Sequence, residues 1–514
     1  MLYRIAGDNQ NNVGNYRSAG NKTLGISLEA VLKGTPINYI KKRWQAEGGY
    51  REFLVLALPL ILTTASWSVQ YFVDRMFLTW YSTEALAAAL PAGITNFIFV
   101  GFFMGIAQYI NTFVAQYYGA GQFQQVGPAV WQGAYLALVA AVCGLGLTFL
   151  AKPLFTLVGH DAAIQAQEVV YFRTLCYGMG PIALSTAGSC FFTGRGRTWT
   201  VLVVNVAVTG INIVLDYSLI FGKLGLPAAG IQGAAWATNT SAMCGALAFF
   251  VLLTRVRYRA RYNTLKGWRL APELFRRLLR FGGPNGLNFM LDIFAFSFFV
   301  LIVGRLGTVE LAATNLAFNI NSLAFMPLIG CGIAVSTLVG QRLGANRPDN
   351  AEYCTWTGMH LALVYMGVMS AAYLLLPNLF LAPFDTDSQG PEFADARAMA
   401  VILLRLVALY CLFDALYIIF TAALKGAGDT RYVMVVSMLL GWGTLLLPCV
   451  VALVYFDAGV YTLWAFMCGY LILLGIVFYR RFRAGRWKSM RVIETSTLGS
   501  VEAGVGHSTL SASE

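Results

Sequence analysis

Thr112-Phe-Val-Ala-Gln-Tyr-Tyr-Gly-Ala120 returns 225 residues later as Thr337-Leu-Val-Gly-Gln-Arg-Leu-Gly-Ala345. The same shift brings Pro59 onto Pro284, Thr83 onto Thr308, Leu86-Ala-Ala88 onto Leu311-Ala-Ala313, Asn96 onto Asn321 and Gly105 onto Gly330. Further on the offset becomes 232, and Gly194-Arg-Gly-Arg-Thr198 meets Gly426-Ala-Gly-Asp-Thr430 while Arg173 meets Arg405. A register held over such lengths is read as a duplication.

What is duplicated is a set of long apolar runs. In the first half they fall near 53–77, 86–115, 129–151, 168–192, 199–221 and 230–254. In the second they fall near 281–303, 311–340, 355–377, 398–424, 431–455 and 458–479. A bilayer core takes about 20 apolar residues per helix. Unpaired backbone groups cannot face lipid, so each run must be a helix. The sequence therefore predicts an all-α integral membrane protein with twelve transmembrane helices in two related six-helix lobes around a central cleft. Six is even, so both repeats enter the membrane from the same side. They are parallel repeats, an arrangement in which transporters place substrate between the halves.

Composition agrees. Of 514 residues 58% are hydrophobic and 12% charged, against about 25% charged in soluble domains, and the mean hydropathy is +0.63. The net charge of +12 does not indicate nucleic acid, because the basic residues sit in the breaks between apolar runs. They crowd the segment before the first run, Arg195/Arg197, the central linker, Arg342/Arg347, Lys425/Arg431 and the tail, whereas the alternate breaks hold Arg75, Lys152, Lys223, Arg305 and Arg397. The positive-inside bias predicts cytoplasmic termini and an external acidic loop at 378–396 in a plasma or inner membrane. Five segments follow: a flexible cytoplasmic extension at 1–50, a first lobe at 51–254, a basic amphipathic linker at 255–280 lying on the membrane surface, a second lobe at 281–480, and a cytoplasmic tail at 481–514.

The nine cysteines lie inside apolar runs with no CxxC pair and read as small core residues. No phosphate loop, nucleophile motif or clustered histidine set occurs. The expectations are accordingly a chain that is not an enzyme, binds no cofactor and no nucleic acid, and contacts membrane lipids, as a monomer.

Polar residues recur within the runs at steps of three and four, which puts each set on one helix face. The first run has Thr63, Ser66, Gln70 and Asp74; the fifth Asn205, Thr209, Asn212 and Asp216; the seventh Asn285, Asn288 and Asp292; the tenth Tyr410 and Asp414. Asn and Thr in such stripes also serve plain interhelical hydrogen bonding. Buried carboxylates carry more weight because burial is costly. Asp292, eleven residues into its run, lies about 16 Å deep at 1.5 Å per residue, and Asp414 is as far from either end of its own. Neither has a basic partner nearby in sequence, and Arg405 falls on the face opposite Asp414. A bound cation or proton is the natural compensation. Asp74, Gln70, Asn205, Asn212, Asp216 and Asn288 are candidates for substrate or proton binding.

These residues resemble the multidrug and toxic compound extrusion (MATE) transporters, in particular the NorM-type branch, over roughly residues 50–480. The motifs that carry the likeness are Pro59-Leu-Ile-Leu with Val73-Asp74, Gln116-Tyr-Tyr-Gly-Ala-Gly121 with Gln341-Arg-Leu-Gly-Ala345, and Thr193-Gly-Arg-Gly-Arg-Thr198 with Lys425-Gly-Ala-Gly-Asp-Thr430. The resemblance implies export of small organic cations by antiport against Na+ or H+, through alternating access. It implies that Asp292, where the family commonly has Glu, forms the coupling-cation site with Tyr410 and Asp414, Na+ being slightly favoured. It also implies that Asp74 is the first-helix acid tied to protonation and drug binding. A lipid-linked oligosaccharide flippase of the same superfamily is the alternative. It calls for cations in the cleft, where only Arg173 and Arg405 are available.

Overall fold

A computed structural model describes residues 36–384 and 391–494. The predicted extension up to residue 35, the centre of the acidic loop and the tail beyond 494 lie outside the described residues. The chain divides into two units, residues 1–46 and 47–514. In the first, Pro36–Gln45 is a helix with Lys42 and Arg43 in its last turn, a favourable position for cations against the helix dipole.

The second unit is helical throughout apart from its turns, and no strand occurs among the described residues. Eleven helices are long and apolar enough to cross a membrane, and a bent pair completes the twelfth span. Spans 1 to 6 are Tyr50–Tyr81, Thr83–Gly119, Phe123–Leu157, the pair Ala162–Cys176 with Met179–Thr193, Thr198–Phe221 and Gly230–Leu253. Spans 7 to 12 are Pro272–Gly304, Thr308–Gly344, Pro348–Leu375, Phe393–Ala427, Thr430–Phe456 and Val460–Arg483. The chain is thus a multi-pass membrane protein, with two six-span lobes facing across a central cleft.

Span 4 bends by 41° for a local reason. Pro181 supplies no N–H to the helix, and the preceding turn tightens so that Tyr177 N–H donates to the Thr174 carbonyl at 3.2 Å. That carbonyl takes a second bond, 2.6 Å, from Asn239 Nδ2 of span 6. Gly178 leaves room for the amide, since a Cβ there would overlap Asn239 Oδ1. The repeat counterpart of Gly178 is Tyr410, and span 10 passes through it unbroken. Span 11 instead carries one π-turn at Gly441–Leu446, just before Pro448.

Span 1 packs on span 8 and span 2 on span 7, so each repeat contributes the same two helices to the seam. The seam obeys the repeat in detail. Gln116 Nε2 of span 2 donates to the Gly426 carbonyl at 3.0 Å, and its counterpart Gln341 Nε2 of span 8 donates to the Gly194 carbonyl at 2.7 Å. Gly119 lies against the Gln341 backbone and Gly344 against the Gln116 backbone, and a Cβ at either would overlap the facing carbonyl. Asn111 to Thr337, 2.9 Å, and Tyr109 to the Lys425 carbonyl, 3.0 Å, add to the same region. Deeper, Asn285 Nδ2 donates to the Gly105 carbonyl at 2.7 Å and Thr64 Oγ1 to the Met326 carbonyl at 2.9 Å. The seam is thus closed toward the end where span 1 begins and span 12 finishes. Among the described residues, no side-chain hydrogen bond joins the lobes near the opposite end.

Candidate functional site

Two acid clusters lie within the bundle, one per lobe; Asp216 and Asp414 are buried, Asp74 and Asp292 half-buried. The first forms where span 1 packs on span 5. Gln70 and Asp74 are one turn apart on span 1, and Asn212 and Asp216 one turn apart on span 5, so two helical faces present an amide and a carboxyl each. Asn212 and Asp216 are fully buried. The Asn212 amide lies 3.1 Å from Asp74 Oδ1, 3.2 Å from Asp216 Oδ2 and 3.2 Å from the Gln70 amide. Oriented with its nitrogen toward the acids, it donates to both. The one Asn212 nitrogen thus brings the two carboxyls together. Asp216 Oδ1 is buried with no partner. Tyr71, Tyr171 and Arg75 lie within electrostatic range of Asp74. Asn205 is not part of this cluster: its amide donates to the Val201 carbonyl of its own helix at 2.9 Å.

The second cluster lies between spans 7 and 10. Asn288 Nδ2, one turn before Asp292, donates to both of its carboxylate oxygens at 3.2 Å. Tyr417 OH of span 10 donates to Asp292 Oδ2 at 3.3 Å. Asn288 is fully buried and its Oδ1 has no partner, as is true of Thr421 Oγ1 on span 10. The charge of Lys425, two turns beyond Tyr417, acts on Asp292. No basic residue stands near Asp292 in sequence, but the fold brings the charge of Lys425, 133 residues away on span 10, into its surroundings.

Asp414 is 3% and Tyr410 1% exposed. Among the described residues, no hydrogen bond joins either to Asp292. Tyr417 and Tyr470 lie in the fields of both acids. The phenol bonded to Asp292 in this arrangement is Tyr417, and Asp414 and Tyr410 precede it by one and two turns on span 10. The signal of Tyr417 was present in the sequence, since Asp414, Tyr417, Thr421 and Lys425 continue one helical face at steps of three and four.

The donor set suits a small hard cation. Asp292, the Tyr417 hydroxyl and the free Asn288 carbonyl oxygen are hard oxygens, and the unpartnered Asn288 Oδ1 is the atom that would gain. Arg173 does not face such a site: its Nε donates to the Thr148 carbonyl of span 3 at 3.1 Å.

Comparison with known proteins adds the following. The family model described as MatE matches residues 59–218 and 284–447. The two matches begin at Pro59 and Pro284, the register that the repeat sets. Multidrug resistance protein PmpM of Pseudomonas aeruginosa is 29% identical over 408 residues, covering 76% of this chain and 82% of that protein. The probable multidrug resistance protein NorM of Brucella suis is 27% identical, covering 84% and 92%. Among solved structures, the eukaryotic MATE transporter AtDTX14 superposes with a TM-score of 0.75 at 21% identity, covering 85% and 96%. A multidrug resistance MATE family transporter in an outward-facing conformation superposes with a TM-score of 0.76 at 18% identity, covering 87% and 98%. At these identities the structures speak for the fold.

Proposed function

The chain belongs to the MatE family, and from that membership we propose that it is a secondary multidrug exporter, moving organic, mostly cationic compounds out of the cell against an inward flow of Na+ or H+. The observation that carries the reading is the pair of acid clusters on opposite sides of one cleft. In the first lobe two carboxyls share one amide, that of Asn212. In the second Asp292 meets the Asn288 amide and the Tyr417 hydroxyl in the field of Lys425. Neither arrangement is a closed structural ion pair: among the described residues none of Asp74, Asp216, Asp292 or Asp414 makes a salt bridge within 4 Å. Neither cluster contains a cation in direct contact with its acids, and an exchangeable cation supplies one.

Asp74 and Asp216, with Gln70 and Asn212, release a proton or accept a drug cation, since one positive charge satisfies the pair and two compete. Asp292, with Asn288 and Tyr417, takes the coupling cation, and Asp414 and Tyr410 join when the lobes rearrange. Aromatic walls and a negative charge recognise hydrophobic organic cations. With both termini cytoplasmic, the closed end of the seam faces the cytoplasm, which is the outward-open arrangement. The flippase alternative lacks support, because Arg173 is engaged on span 3 and acids line both clusters.

Ethidium efflux from proteoliposomes under imposed Na+ or H+ gradients tests this. Export that follows one gradient and ceases without it is the expected result. Export indifferent to both gradients overturns the coupling.

A further inference from the structure

Residues 484–494, which follow span 12, do not hang free of the bundle. Trp487 is 1% exposed and stacks on Phe482, ring centres 4.9 Å apart and planes 14° from parallel. Lys488 Nζ pairs with Glu352 Oε2 at 2.6 Å and Asp349 Oδ1 at 3.1 Å, both at the start of span 9. Arg491 Nη2 donates to Asn346 Oδ1 at 3.3 Å. These contacts fix the segment to the second lobe. The chain then crosses the seam. Val492 is 1% exposed inside the hydrophobic cluster built from Ile106, Tyr109 and Phe113 of span 2, and it packs on Gly428. Its N–H donates at 2.9 Å to Gln116 Oε1, the other end of the amide that holds the Gly426 carbonyl. Glu494 pairs with Arg277 at the start of span 7.

The pseudo-twofold relation sharpens the point. Opposite, across the seam, Arg342 at the end of span 8 pairs with Glu52 at the start of span 1 at 2.5 Å. The repeat counterparts of these residues are Tyr117 and Arg277. Tyr117 cannot supply a carboxylate to Arg277, and the tail supplies one in Glu494. The tail thus completes a contact that the other repeat makes unaided.

We propose that residues 486–494 are a clasp that holds the lobes together at the terminus end and must disengage before the cleft can open there. A buried valine and a backbone hydrogen bond that both cross the seam are lost when the lobes part, so the clasp stabilises the arrangement described here relative to the one open at this end. The proposal rests on alternating access, as proposed above.

The test uses spin labels at Arg197→Cys and Arg431→Cys, exposed positions at the starts of spans 5 and 11, one on each lobe, in a cysteine-depleted full chain. In detergent or lipid without drug, the unmodified tail should give mainly one short distance. Ending the chain after Ser489, or introducing Val492→Asp, should shift the major population to a longer distance. Glu494→Gln should shift it less. Ending the chain after Glu494 should leave the distribution unchanged. Should the shortened chain fail to fold, the two substitutions in the full chain decide by the same measurement. Folded Val492→Asp and Glu494→Gln proteins with the parent distribution overturn the clasp. Export that fails while these distance shifts appear leaves the clasp standing and points instead at the coupling reading.

Discussion

The two lobes share a scaffold and differ in their charges. Where they meet, Gln116 and Gln341 make the same bond to Gly426 and Gly194. At the acids the correspondence disappears: the shift that superposes the seam brings Asp74 onto Phe299 and Asp292 onto Trp67, and Asp414 onto Ile182. The first lobe sets two carboxyls on one amide. The second sets a carboxylate against an amide, a phenol and the field of a lysine. The duplicated part of the molecule is therefore the seam, and the unduplicated part is its acid chemistry. Under the proposed antiport, one lobe responds to a proton or drug and the other to a coupling ion.

The strongest test of this contrast is Asp292→Asn. It should reduce gradient-driven export to the level of empty liposomes. It also removes the negative charge whose field acts on half-buried Lys425, which is destabilising. Protein abundance should fall, and Lys425→Met in the same chain should restore abundance without restoring export. Normal abundance of the single variant, measured by fluorescence-detected gel filtration, would remove Lys425 from the site.

Tyr417→Phe should come next. A hydrogen bond to a charged group contributes about 1.5–3 kcal/mol, so the ion concentration giving half-maximal export should rise about ten- to a hundredfold. Tyr410→Phe should change it less than about twofold. The reverse order would return the coupling role to Tyr410 and Asp414 as the sequence had it.

Asp74→Asn should be milder for the protein and specific for the substrate. An asparagine keeps hydrogen bonds to Asn212 and Asp216, so abundance stays near normal while efflux of cationic dyes falls about tenfold, or 1.4 kcal/mol. Unchanged efflux would reduce the first-lobe cluster to helix packing. The smallest effect is expected for labelling: a single cysteine at position 266 should react only from the cytoplasmic side, with no change in transport. Reaction from outside alone would invert both lobes together.

Much of this was legible before any coordinates. Apolar runs, repeat offset and basic breaks are one-dimensional signals, and they gave twelve spans in two lobes. Span 4 was read as one helix because the apolar run is continuous; the break depends on Asn239, which is brought there by span 6. Asp74, Gln70, Asn212 and Asp216 could be grouped because each pair is one turn apart. That the two carboxyls share the Asn212 amide was not readable, since it depends on how spans 1 and 5 are rotated. Asn205 sits on the same stripe yet bonds to its own helix, because helical spacing gives a direction and not a partner. Lys425 was missed for a related reason: charge counting by loops assigns a lysine to solvent, while its long side chain runs back along the helix.

The reciprocal bonds of Gln116 and Gln341 have a further consequence. An interface in which each partner offers the other the same amide and the same glycine is what two identical subunits build around a twofold axis. The seam preserves the contact surface of a six-span dimer that was later joined end to end. The covalent link near residue 270 then adds local concentration and little recognition. Two polypeptides made separately, one ending at Arg269 and the other beginning at Leu270, should find each other in the membrane and migrate as one particle.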